Sequence, residues 1–179
     1  MKIGSLLLLS LLLAVGPAAS QAPDDELIVP GVRVGRWTLQ MTIDDLVRMN
    51  GPGHFAFVMK GHPPEADAIR EFSQYNWDSL GIGAITFDGH RTEVLAAGVG
   101  AALRSHKTDK GIGFQSDRAE VVTAYGTPTA VTVPEGGQTN LIYDEIGVTF
   151  RIFNGGRVRI IYIFRPGTAR RFWQCLVVC

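Results

Sequence analysis

The sequence predicts an α+β protein of two tandem repeats, each a short helix packed on a three- to four-stranded antiparallel β-meander. Three observations carry this expectation. First, Tyr143 to Phe164 holds two runs rich in β-branched and aromatic residues that meet at Asn154-Gly155. That dipeptide tolerates the positive φ of a type I′ turn, so the stretch predicts a hairpin. Second, the same pattern occurs earlier. At one constant offset Trp77-Asp78-Ser79-Leu80-Gly81-Ile82 aligns with Tyr143-Asp144-Glu145-Ile146-Gly147-Val148, and Phe87 to Arg91 aligns with Phe153 to Arg157. Third, a short helical segment precedes each hairpin. Thr42 to Gly51 and Asp117 to Gly126 both open on a capping residue and stop at a glycine.

The first element is a leader, residues 1–20. Lys2 gives a positive start, Ile3 to Val15 is an apolar run too short to span a bilayer, and small residues follow. Cleavage is expected after Ser20 or Ala22, which implies an exported protein, periplasmic or secreted. Residues 21–30 read as a flexible lead-in, because Gln21 to Leu27 is polar, acidic and broken by Pro23. Unit 1 then covers residues 31–98. The Thr42 hydroxyl caps its helix, Asp44 and Asp45 suit the positive end of the helix dipole, and Ile43, Leu46, Val47 and Asn50 form a stripe. Gly51-Pro52 stops the helix. His54 to Lys60 predicts a strand, and Pro63 to Phe72 an inserted helical turn with Ile69 and Phe72 as its apolar side. The hairpin from Gly81 to Ala97 has Gly83, Ala84, Ala96 and Ala97 where its counterpart has larger residues, which permits close approach by another element.

Residues 99–110 are expected to be a linker anchored by Leu103. Unit 2 covers residues 111–166. Asp117 and Glu120 make a D-x-x-E capping box, and Val121, Val122 and Tyr125 form the buried stripe. Strands at Ala130 to Val133 and Asn140 to Tyr143 lead into the hairpin. Strict alternation there places Val148, Phe150 and Ile152 on one face, together with Val158, Ile160, Tyr162 and Phe164 of the second strand. Residues 167–179 form a basic, aromatic tail. Cys175 and Cys179, the 2 cysteines of the chain, lie in it, too close together for a bridge between them to stabilise the fold much.

A helix of the form Thr/Ser/Asp-x8-Gly-x-Pro, followed by a meander ending in Asp/Asn-Gly-x-Arg/Lys-Val, resembles the β-lactamase-inhibitor-protein-like fold. The small lipoproteins of the outer-membrane barrel-assembly machinery share that fold. Asp117 to Pro128 and Phe150 to Ile163 carry the resemblance best, and two copies would cover the chain beyond its leader. The resemblance implies tandem units that bind other proteins through sheet faces without catalytic residues. No cysteine stands directly after the apolar leader and none lies inside either unit. The resemblance therefore implies neither a lipid anchor nor inhibition of a β-lactamase.

Chemistry-bearing motifs are sparse. Lys+Arg and Asp+Glu both number 17, so bulk charge draws the chain to neither nucleic acid nor an anionic membrane. His54, His62, His90 and His106 show no zinc spacing, so neither metal nor cofactor is expected. No Gly-x-Ser-x-Gly elbow occurs. Asp78 and Asp144, each ahead of a glycine in an aligned position, suit turn hydrogen bonding better than acid–base work. The informative constellation is the expected outer face of the second hairpin: Arg151, Phe153, Arg157, Arg159, Ile161 and Ile163. Arginines and an aromatic among aliphatics are interface composition. The expected function is thus an exported, non-enzymatic protein-binding module that engages another envelope or secreted protein. Two alternatives stand beside it. One is a small hydrolase or metal-dependent enzyme using His54, His62, Glu65 and Asp67 in an inter-unit cleft. The other is peripheral membrane association through Arg170-Arg171-Phe172-Trp173.

Overall fold

The structure, a computed structural model, describes residues 26–61, 70–87, 89–98, 101–134 and 136–172, with backbone alone at 56–61, 70–71, 101 and 171–172. The leader with Ser20 and Ala22, residues 62–69 of the insertion, and both cysteines lie outside the described residues.

The chain enters through Leu27–Val29 (β1), Arg33–Val34 (β2) and Trp37–Thr38 (β3). These strands double back where Gly31 and Gly35 take φ of 71° and 53°, which costs a glycine nothing. β1 also pairs in parallel with Lys107–Thr108 (β8), giving a small sheet ordered β3-β2-β1-β8. The expected flexible lead-in therefore ends sooner than residue 30. Leu27-Ile28-Val29 has partners on both sides, and Ile28 is fully buried. The expected linker is likewise structured: it holds β8 and a 3₁₀ turn at Ala101–Leu103, with Leu103 buried as its anchor.

Ile43–Asn50 (α1) and Arg118–Tyr125 (α2) form where the capping residues predicted. The Asp45 N–H donates to Thr42 Oγ1 at 3.1 Å and the Thr42 N–H returns a bond to Asp45 Oδ2 at 3.0 Å. At α2 the Glu120 N–H donates to Asp117 Oδ1 at 2.9 Å and the Asp117 N–H to Glu120 Oε2 at 2.7 Å. Each box satisfies donors that a helix start leaves open. The stripes are narrower than expected. Ile43, Leu46 and Val121 are buried, whereas Val47 and Val122 lie at the surface.

Each helix is followed by four strands of a larger sheet. His54–Gly61 (β4), Arg70–Trp77 (β5), Ile82–Thr86 (β6) and Val94–Gly98 (β7) follow α1. Ala130–Thr132 (β9), Thr139–Tyr143 (β10), Val148–Ile152 (β11) and Val158–Phe164 (β12) follow α2. All eight make one antiparallel sheet ordered β4-β5-β6-β7-β12-β11-β10-β9. Phe72, expected on an inserted helical turn, is a buried residue of β5. At the central seam Ile161, Tyr162 and Ile163 of β12 lie opposite Ala97, Ala96 and Leu95 of β7. The small residues of the first hairpin make room for the large ones of the second.

Two features of the second hairpin depart from the sequence reading. Its turn has positive φ at Gly156 (73°), not at Asn154 or Gly155, and the Gly156 N–H donates to the Phe153 carbonyl at 2.7 Å. This is a type I turn closed by a left-handed glycine, the longer alternative to a type I′ loop. The second departure is a β-bulge. Arg151 pairs with Ile160 but Ile152 pairs with Val158, leaving Arg159 as the extra residue. One extra residue reverses the in–out alternation of everything beyond it.

The consequence is two covered faces. On one, Leu46 of α1 and Val121 of α2 share a cluster with Leu141, Val148, Phe150, Val158, Ile161 and Ile163. On the other, Phe72, Ile85, Val94, Ile142, Tyr162 and Phe164 pack with Ala169, just after β12. The Ala169 N–H donates to Asp144 Oδ1 at 2.8 Å, so this aspartate anchors the returning chain.

Candidate functional site

The six residues expected on an outer face divide into two groups. Arg151, Ile161 and Ile163 are wholly buried at 0% exposure. Ile161 and Ile163 lie opposite Phe150 and Val148, so they point toward the helices with these residues rather than away from them. The bulge at Arg159 is the reason. Arg151 belongs to the second face, where its Nε donates to Asn140 Oδ1 at 2.9 Å and its guanidinium stacks 5.0 Å from the Tyr162 ring centre. Asn140 in turn donates from Nδ2 to Thr132 Oγ1 at 3.1 Å. This polar chain runs inside the fold, so these three residues are corrected to core positions.

Phe153, Arg157 and Arg159 come together at the surface. With Asn154, Gly155, Ile160 and Gly98 they line an open groove of about 670 Å³ at the tip of the β11–β12 hairpin. Phe153 and Ile160 are half-buried, and both arginines are exposed. The turn and the bulge bring both arginines into the lining of the same groove. Arg157 Nη1 donates to the Gln115 carbonyl at 3.0 Å and approaches Asp117 Oδ2 at 3.8 Å. The tip is held from the other side by Asn154, whose Nδ2 donates to the Gly136 carbonyl at 3.2 Å. Among the described residues none that lines the groove is acidic, so its described lining carries net positive charge. Sequence reasoning missed Gly98 and Ile160. Gly98 reaches the site only because β7 lies beside β12, a contact between strands far apart in the chain.

A second groove, about 500 Å³, runs between β1 and the end of α2, with Ile28, Tyr125, Ile146 and Pro166 as apolar walls. Asp109 and Lys110 stand together on it, so it has no charge preference. Lys110 Nζ donates to the Ala124 carbonyl at 2.9 Å and sits 4.7 Å from the Tyr125 ring centre. Burial pushes the Tyr125 hydroxyl above its ordinary pKa of 10.0, with the Thr108 hydroxyl opposing.

Of the residues named for an enzymatic site, His54 is described. Its Nδ1 lies 3.3 Å from Asp78 Oδ2, both side chains being well exposed, and neither lines a groove given above. His62, Glu65 and Asp67 lie outside the described residues. Among the described residues no three of His, Cys, Asp and Glu cluster as metal ligands. No helix among them is long and apolar enough to cross a membrane. No family model matches the chain, and neither a curated protein nor a solved structure does.

Proposed function

We propose that the chain is an exported, non-enzymatic module of two tandem helix-and-meander units, of the β-lactamase-inhibitor-protein-like kind, that binds another exported protein through the hairpin-tip groove. Bonds that recur at aligned positions support the two-unit reading. Trp77 Nε1 donates to the Gly51 carbonyl at 3.0 Å, and the Tyr143 hydroxyl to the Gly126 carbonyl, also at 3.0 Å. Each ties the end of a strand to the glycine that closes the preceding helix. Gly81 and Gly147 share φ of 70° and each donates to the aspartate carbonyl three residues back at 3.1 Å. Met41 accepts from Thr92 at 3.1 Å as Ser116 accepts from Val158 at 2.8 Å, locking each helix start to its own hairpin.

The observation that carries the binding reading is the pairing of two exposed arginines with half-buried Phe153 and Ile160 around a groove whose described lining holds no acid. Arginine and aromatic anchors dominate binding energy at protein interfaces, and a groove edged by two arginines steers an acidic surface toward it. The test uses immobilised chain, an envelope or secreted fraction from its source, and mass-spectrometric identification of what is retained. Arg159→Glu and Phe153→Ala should each lower retention of the partner at least about tenfold, the loss typical of an anchor residue. Equal retention by Arg159→Glu and the parent chain would remove the groove from the interface.

A further inference from the structure

We infer that the groove receives one phenylalanine-sized aromatic side chain, presented by an acidic segment of the partner; this deepens the binding reading above and rests on it. Gly98 ends β7 and lines the groove. By the offset that aligns the two halves, its counterpart is Phe164. The Gly98 N–H donates to the Gly81 carbonyl at 2.7 Å, and the Phe164 N–H donates to the Gly147 carbonyl at 3.0 Å. Each is thus the last residue of its strand, bonded to the glycine that opens the strand before it. Phe164 is fully buried among Ile142, Tyr162 and Phe72 on the second face of the sheet. Where its counterpart holds a ring, Gly98 holds nothing, and that position lines the open groove.

The backbone does not require glycine there. Gly98 is outside the left-handed region, and among the described residues a Cβ built on it would meet nothing nearer than the Gly81 carbonyl oxygen at 3.7 Å. A glycine at a position that would accept a side chain leaves space, whereas a turn glycine satisfies a dihedral. The space is walled by apolar Phe153 and Ile160, the latter being the register partner of Gly98. Ring–ring contact with Phe153 favours an aromatic guest over an aliphatic one of equal size. Arg157 and Arg159 flank the slot. Arg157 already shares its charge with Asp117 at 3.8 Å, so Arg159, in no ion pair among the described residues, is the main partner for a guest carboxylate.

The probe is the tripeptide acetyl-Glu-Phe-Glu-amide, titrated into ¹⁵N-labelled full chain. Saturable shifts are expected at the amides of Gly98, Asn154, Gly155 and Ile160. Replacing the peptide's Phe by Ala should weaken binding at least about tenfold. Replacing its Glu residues by Lys should abolish it. Gly98→Phe fills the slot from within and should remove binding while circular dichroism stays unchanged. Gly98→Ala, a smaller addition, should weaken binding measurably and serves if the larger residue disturbs the fold. No saturation at about 10 mM peptide, shifts away from these amides, or unchanged affinity of Gly98→Phe would each overturn the inference. Suppose Gly98→Phe retains the identified partner undiminished while Arg159→Glu loses it. Then the aromatic slot is wrong and the protein-binding reading stands. A parent chain that retains no partner removes that broader reading, and the peptide titration still decides the slot.

Discussion

Replacing Ile161 by alanine tests the bulge and everything derived from it. Strict alternation along β12 would put this side chain with the arginines, where truncation costs within about 0.5 kcal/mol. The structure instead places it at 0% exposure, opposite Phe150 in β11 and Ala97 in β7. Three carbon atoms are lost, about 2.4 kcal/mol of transfer free energy at about 0.8 per methylene. The flanking strands are held in hydrogen-bonded ladders and cannot close the gap, so a cavity term raises the loss to about 4 kcal/mol. For a chain of this size the melting temperature should fall by about 10 °C. Urea unfolding followed by circular dichroism, with Arg159→Ala as the surface control two residues away, measures both numbers. A loss under about 1 kcal/mol for Ile161→Ala, or comparable losses at the two positions, would refute the parity change at Arg159.

Four further outcomes are expected. Gly147→Ala should cost well over 2 kcal/mol in the same unfolding assay, because at φ 70° its Cβ would run into the Phe164 carbonyl oxygen and Gly31. Gly51→Ala, at φ 78° with nothing within 4 Å, should cost only about 1 kcal/mol. Asp117→Ala removes the 2.9 Å cap on Glu120 N–H and should cost about 1 kcal/mol, read as a shifted denaturation midpoint at constant slope. The fourth concerns acid. The backbone and hydroxyl of Thr42, helped by Arg48, hold the Asp45 carboxyl below its ordinary value of 3.8. A depressed carboxyl contributes stability that is fully present above the unfolded pKa and lost as pH falls through the folded one. Asp45→Asn should therefore flatten the loss of stability below about pH 4; an unchanged acid-unfolding profile would contradict it.

Much of the local architecture was legible because its causes are local. The caps at Thr42 and Asp117 act within one helical turn. The glycine stops at Gly51 and Gly126 are settled by one dihedral each, near 78°. Leu103 stands out as the large apolar residue of a Gly- and Ala-bearing stretch, and it is buried. Phe72 was misplaced because prolines upstream suggest a helix start, whereas its role comes from pairing of β5 with β4 and β6. The three short opening strands were hardly visible, since strands of 2 or 3 residues carry too little periodicity to read.

The candidate site divides along the same line. Arg157, Phe153 and Arg159 could be chosen from the sequence because arginine and aromatic residues beside a turn are an interface signal whichever face they take. Ile161, Ile163 and Arg151 could not be excluded. The run Ile160-Ile161-Tyr162-Ile163-Phe164 is apolar throughout, because both faces of the sheet are covered, so it has no polar side to mark the outside. By itself, the sequence determined where helices start, where the chain turns, and which stretches pair locally as hairpins. The tertiary structure alone decided that β7 lies beside β12, that one extra residue reverses the faces of a strand, and that Gly98 opens a groove next to two arginines. Helix caps and turns depend on neighbours a few residues away, whereas the facing of a doubly covered strand depends on elements that meet it only after the whole sheet has assembled.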